Sequence, residues 1–306
     1  MALADEMLAL ARRAGDEGLE LQARTRRIVD LAELGDGPAF DAELDAYAAA
    51  AARSRLATFA WYVPVWRSVR AFLAGRPEEG HDLRRRAFEL GTRVGDANAQ
   101  FVRLADINQR LADGDIPYDV YGEWHAERMR TSPAAWAYRS MYAWMLAASG
   151  RDQEARAEVA EQRRRGMPRS WPRDTNWLSA VKEMTEAAYL LGDRALGAEL
   201  EDLLQPFADR MAVAARAMNW MGSIAGALAL MAELRGDPPA AVDRYRRAIE
   251  LEERAGMPVW ACHHRMRLAR ALRAAGADAE ARTLLAEAVP EARRLSLFHL
   301  AEQAER

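Results

Sequence analysis

The sequence predicts an all-α protein, an α-solenoid of about seven helix pairs behind one leading helix, with residues 1–306 forming a single unit. Three observations point there. The chain is rich in Ala, Leu, Arg and Glu, which favour helix, and sparse in the β-branched residues that favour sheet. Its helical runs break at regularly spaced glycines: Gly15, Gly35, Gly75, Gly95, Gly114, Gly150, Gly192, Gly236, Gly256 and Gly276. Several of these glycines are followed directly by Asp. Glycine tolerates the left-handed conformation that ends a helix, and the Asp can cap the next one.

The elements follow in order. A leading helix is expected over 3–14. The first helices of the pairs are expected near 17–34, 55–74, 97–113, 133–149, 174–191, 216–235 and 258–275, each followed by a second helix after its glycine. The segment 163–177, RRRGMPRSWPRDTNW, holds two prolines and a glycine. It reads as a long inter-repeat loop near 163–175, with Asp174 as the cap of the helix that follows. Paired helices of this length cannot bury their apolar faces alone, and stacking them creates a continuous core.

The repeat unit can be sharpened. Around Gly236, small or large apolar residues stand at Ala229, Ala241, Tyr245 and Ala248. The same offsets give Ala269, Ala281, Leu285 and Ala288 around Gly276. Around Gly150 they give Ala143, Ala155, Val159 and then Gln162, a departure. Small residues let two helices approach closely, and the large one fills the gap to the next pair. This series resembles the tetratricopeptide repeat. Phe40 and Arg84 break it near the N-terminus.

Longer stretches carry a second resemblance. LALARRAGDEGLELQARTRRIVDLAELGD (8–36), PRDTNWLSAV (172–181), LEDLLQPFADRMAV (200–213) and AVDRYRRAIELEERAGMPVWACHHRMRLARAL (241–272) are similar, in order, to the C-terminal tetratricopeptide-like region of actinobacterial signal-transduction ATPases. That group includes LuxR-type regulators related to the maltose regulator and ATPase-linked nucleotide cyclases. Residues 216–234 depart from the pattern, where such regions carry a more Gly- and Tyr-rich stretch. The resemblance implies a sensor or protein-binding arm whose chemistry sits elsewhere. In keeping with that, the sequence has no G-x-x-x-x-G-K-[ST] phosphate loop, no apparent cyclase domain and no basic recognition helix.

Composition narrows the function classes further. Net charge is −3 and pI about 6.1, so no basic field points to nucleic acid. Among 43 cationic side chains only Lys182 is a lysine. Cys262 is the lone cysteine, which excludes an internal disulfide and fits a reducing compartment. The N-terminus lacks the pattern of a signal peptide, and the longest apolar run, 220–234, is too short to span a bilayer. A cytoplasmic protein is expected.

No catalytic constellation stands out. His263 and His264 are adjacent and so point to different sides of a helix, and no histidine pair has metal-ligand spacing. Cys262 beside them reads as a small buried residue rather than a nucleophile. Arg84–Arg86 and Arg163–Arg165 read as solvated faces. Most of the nine tryptophans are expected in interhelical packing. The first helices of a curled solenoid line its concave face, where the repeat offsets place Tyr62, Asn108, Trp144, Lys182, Glu186, Tyr189, His263 and Arg270. Aromatic platforms beside a few charges suit a peptide or small-molecule groove. The sequence thus reads as a non-catalytic sensor or protein-interaction arm of a bacterial regulator. Its expected partners are a protein or peptide, such as an ATPase or regulator module, and a small-molecule effector. No cofactor, metal, nucleic acid or membrane is expected. The alternative is a small-molecule enzyme or carrier with its site in the groove.

Overall fold

A computed structural model describes residues 1–102, 122, 125–127, 130 and 137–305. They are almost entirely helical, as the composition requires. In chain order come α1 (Ala2–Ala14), α2 (Glu17–Leu34), α3 (Gly37–Ser54), the short α4 (Ala57–Ala60), α5 (Tyr62–Leu73) and α6 (Pro77–Arg93), then a 3-10 turn over Ala97–Phe101. Next are α7 (Ala137–Ala148), α8 (Asp152–Arg164), α9 (Trp177–Leu191) and α10 (Arg194–Leu204). A two-stranded antiparallel ribbon follows, β1 (Met211–Ala214) and β2 (Asn219–Ser223). The chain ends with α11 (Ile224–Arg235), α12 (Pro238–Arg254), α13 (Pro258–Ala274), α14 (Asp278–Arg294) and α15 (Phe298–Glu305).

The stop-and-start signals act as expected where they are described. The spaced glycines at 15, 35, 75, 95, 150, 192, 236, 256 and 276 all take positive φ. Asp16, Asp36, Asp193 and Asp237 each accept a hydrogen bond from the backbone three residues on, capping α2, α3, α10 and α12. Asp174 does something else. Its carboxylate accepts from the Asn176 amide at 2.8 Å and closes the turn ahead of α9, which starts without a side-chain cap. Gly114, Asn108 and most of the helix expected over 97–113 lie outside the described residues.

The small residues of the repeat series are buried: Ala143, Ala155, Ala229, Ala241, Ala248, Ala269, Ala281 and Ala288. Tyr245 and Val159 fill the large positions, and even Gln162 is buried, donating from Nε2 to the Arg139 carbonyl at 3.1 Å. Leu285 differs. It is half-buried and faces a cavity.

Two features depart from the expected layout. The helix expected over 216–235 begins only at Ile224, and the ribbon occupies its first part. Ala-rich sequence favours helix, but α2, α9 and α12 bury both faces of these strands, and burial outweighs propensity. The ribbon's tip is strained: Ala215, Arg216 and Ala217 all take left-handed φ of 51°, 59° and 61°. Asn176 Oδ1 accepts from the Ala215 amide at 2.9 Å, and Trp66 Nε1 donates to the Arg216 carbonyl at 2.9 Å, which hold it. Gly222, at φ 84°, is the readable clue. A Cβ there would sit 2.9 Å from the Trp260 ring.

The second departure is closure. In an open stack of repeats each pair touches only its neighbours. Here the N-terminal helices fold back on the later part of the chain. α5 packs on α13, and Arg70 Nη1 donates to the Ala255 carbonyl at 2.9 Å. Gly37 lies so close that an added Cβ would come within 2.2 Å of the Ala255 oxygen. Phe40 packs edge-on against Trp220, centroids 4.9 Å apart. One apolar core therefore joins residues of α2–α5 to the ribbon, α12 and Met257.

Candidate functional site

α9 is nearly buried all round, including its polar side chains Lys182, Glu183, Thr185 and Glu186. Buried charges must find partners, because desolvation is expensive. Lys182, Glu186, Tyr189 and Leu190 recur at helical spacing and share one side of α9. Trp260, His263, Arg267 and Arg270 do the same on α13.

These two faces meet, with α7 and α11 beside them. Glu186 accepts a bidentate pair from Arg267 at 3.1 and 3.0 Å, and Lys182 Nζ donates to it at 3.3 Å. Burial works against the Glu186 charge, yet Arg267 and Lys182 together hold its carboxyl well below the usual range. Burial equally opposes Arg267, and Glu186 more than offsets it, so the guanidinium pKa is raised. The Lys182 ammonium sits between two indoles, 4.9 Å from the Trp260 ring centroid and 5.6 Å from that of Trp144. One turn along, Arg270 grips Glu233 of α11 with two bonds of 3.0 Å. The Tyr189 hydroxyl donates to the same carboxylate at 3.3 Å, and the Tyr245 hydroxyl donates to it as well.

A cavity of about 480 Å³ opens over this network, within the usual range for a small-molecule site. Trp144, Glu186, His263, Arg267 and Arg270 line it, with Leu190, Met266 and Leu285 as apolar wall. α15 closes one side with His299, Leu300 and Gln303. The His263 ring is pushed down to about 3 by burial and then by the neighbouring Arg267, so it is neutral. Its Nε2 is buried and has no hydrogen-bond partner. Glu183, 3% exposed, forms no ion pair with a described residue. Burial pushes its carboxyl up to about 8, against the pull of Lys182.

Six of the residues picked from sequence are thus brought together: Trp144, Glu186, His263 and Arg270 on the cavity, Lys182 and Tyr189 bonded just behind it. Tyr62 is elsewhere. It stands at the start of α5, which turns back onto α3 and the ribbon instead of extending the same face. Its hydroxyl accepts from Arg216 Nη1 at 3.1 Å and donates to Asp96 at 3.2 Å, beside a separate cavity of about 530 Å³. Asn108 lies outside the described residues. Sequence reasoning missed Arg267, Glu233, Trp260 and Glu183. The first and third share the spacing of His263 and Arg270, a signal that was present. Glu233 comes from another repeat and had none.

No protein-family model matches the chain, and no curated protein matches it.

Other reactive groups are engaged structurally. Cys262 is buried, its Sγ 3.7 Å from the Ala288 carbonyl oxygen, and burial pushes the thiol up to about 11. Glu252, fully buried, accepts from the Ser223 amide and hydroxyl, both at 2.9 Å, and lies 2.7 Å from His264 Nδ1. Here the carboxylate stands between Ser and His, so no histidine is placed to activate the hydroxyl. Among the described residues, no cluster of His, Cys, Asp and Glu could hold a metal ion, and no helix is long and apolar enough to cross a membrane.

Proposed function

We propose that the chain is a non-catalytic, tetratricopeptide-like binding arm of a cytoplasmic bacterial signalling or transcriptional regulator, and that it holds a small effector in the cavity between α7, α9, α13 and α15. The observation that carries this reading is the cavity's construction. Its walls come from helices far apart in sequence, and they combine an apolar surface with an ordered set of charges. An occupant touching all of them favours one spacing of these helices over another, and so changes the face offered to an ATPase or other regulator module. Such a shift requires different affinities for the two states.

The test is a thermal-shift panel of acids, amines, sugars and neutral amphiphiles, followed by native mass spectrometry on each hit. At least one class should raise the melting temperature by mass action. Trp144→Ala should lower that ligand's affinity at least tenfold while lowering stability much less. Absence of any shift across the panel, or a Trp144→Ala variant that melts early but binds normally, overturns the reading. A second reading, an acid–base enzyme, is favoured by the raised Glu183 and lowered His263. Chemical conversion of a bound probe would select it.

A further inference from the structure

The cavity beside Tyr62 differs in charge from the one over Glu186. It holds about 530 Å³ among α1, α2, α4, α5, the ribbon tip and the turn ahead of α9. Among the described residues that line it are two arginines, Arg26 and Arg216, and no carboxylate. At the other cavity Glu186 and Glu233 answer Arg267 and Arg270. Here neither arginine forms an ion pair with a described residue, and Asp30, one turn on from Arg26, bonds to the Met1 amine instead at 2.8 Å. Arg216 is held in place. It stands in the middle of three residues with left-handed φ, a strain that persists only where the surroundings fix it. Trp66 and Asn176 fix its backbone. Its Nη1 donates to the Tyr62 hydroxyl at 3.1 Å, and its guanidinium carbon lies 6.0 Å from that ring's centroid. The Tyr62 hydroxyl is then fully engaged, since it donates to Asp96 and also accepts from Asn98 Nδ2 at 3.4 Å. Asp96 is engaged in turn by Trp61, Tyr62 and Asn98. A guanidinium has five N–H donors, so most of those on Arg216 stay uncommitted. Arg26, exposed on α2, brings a second uncommitted set. Gln22 and Thr175 add an amide and a hydroxyl, and Met7, Val29 and Phe59 make the apolar wall.

We propose that this cavity is a second binding site, separate from the effector cavity, and that it takes a small phosphate monoester whose organic part is apolar. The phosphoryl oxygens accept from Arg216 and Arg26, with Gln22 and Thr175 as further donors, and the organic group lies on Met7, Val29 and Phe59. Guanidinium groups match phosphate oxygens bidentately. A phosphate monoester carries close to two negative charges above its second pKa, near 6, and so answers both arginines. A carboxylate or a sulfate ester answers one and leaves the other. An amine would meet two like charges. The volume suits a small molecule rather than a polymer.

Three probes test this by titration calorimetry at pH 8: phenyl phosphate, phenyl sulfate and inorganic phosphate. Phenyl phosphate should bind about tenfold more tightly than phenyl sulfate, the worth of one further charge-assisted contact. It should also bind severalfold more tightly than inorganic phosphate, because of the apolar wall. Arg26→Gln should remove most of the preference for phosphate over sulfate, while Arg26→Lys keeps part of it. Arg26 is exposed, so both variants should melt like the parent. Arg216→Gln should cause the same loss, and its melting curve separates a missing charge from a disturbed ribbon tip. Equal binding of the two esters, or a preference unchanged in Arg26→Gln, overturns the phosphate. Binding that is lost in Trp144→Ala but kept in Arg26→Gln puts the probe in the other cavity and overturns this site. A tyrosine-phosphorylated peptide that binds far more tightly than phenyl phosphate overturns the small-molecule class. If none of the probes binds, the site itself fails.

Discussion

Among the described residues, two buried glutamates, Glu43 and Glu186, each sit between paired cations, and Glu186 faces the cavity described above. Glu43 of α3 takes Arg24 at 2.6 Å and Arg27 at 2.9 Å. Glu20 accepts from Arg24 on its other side at 2.9 Å, and Arg27 also pairs with Asp5. With Arg12, 3.7 Å from Glu20, three arginines meet three acids there, and the group is a balanced clamp holding α1, α2 and α3. Glu186 has the same kind of neighbours, Lys182 and Arg267, but the positive charge around it exceeds the negative. A buried ion group that closes on itself holds helices together. In the proposed function, the one left with surplus charge at a cavity wall serves ligand binding instead.

The largest effect should come from breaking either centre. Glu43→Ala and Glu186→Ala each strand a buried cation, and each should cost about 3–5 kcal/mol in urea unfolding. They should then differ in binding: Glu43→Ala leaves ligand affinity as it was, and Glu186→Ala alters it. Equal effects on binding would dissolve the comparison.

A middle-sized effect concerns pH. Unfolded Glu183 loses its proton near 4.5, while burial keeps it in the fold to about 8. Unfolding between those values releases a proton, so this group's contribution falls as pH rises from 4.5 to 8. His263 works the other way. The unfolded ring gains a proton near 6.5, and the buried ring resists until about 3, so its contribution falls as pH drops through that interval. The two trends oppose each other between 4.5 and 6.5, and Glu183 acts alone from 6.5 to 8. Melting temperature should fall over that upper interval, and Glu183→Gln should flatten it. A flat parent profile there would mean that Glu183 is hydrated.

The smallest effect is expected on the surface. Arg85 pairs with Asp82 at 2.5 Å, but both side chains are about 70% exposed. Arg85→Ala should leave the melting temperature unchanged within error. A clear loss would show that exposed pairs carry weight here too.

Local signals in the sequence were dependable. Gly236 followed by Asp237 ends α11 and caps α12 as their chemistry dictates, and Ala241 and Ala248 are buried where the offsets put them. The ribbon was hidden because Ala-rich residues 211–223 carry helix propensity, and what overrides it is burial by distant helices. The same limit applied to the cavity. Trp144, His263 and Arg270 could be placed on first helices by counting. Arg267 reaching Glu186 across 81 residues depends on how distant helices pack against one another. Tyr62 was misplaced because counting assumes that α5 continues the curl, whereas it turns back.

That return of the N-terminal helices has a kinetic consequence. Arg70 and the Ala255 carbonyl are 185 residues apart, and the Trp66–Arg216 bond spans 150. Contacts of such separation raise contact order, and the entropy of closing the loop comes due before the contacts reward it. Open repeat arrays can nucleate anywhere and fray from either end. This chain has tied its first third to its last, so it should fold late and lose its structure in one cooperative step.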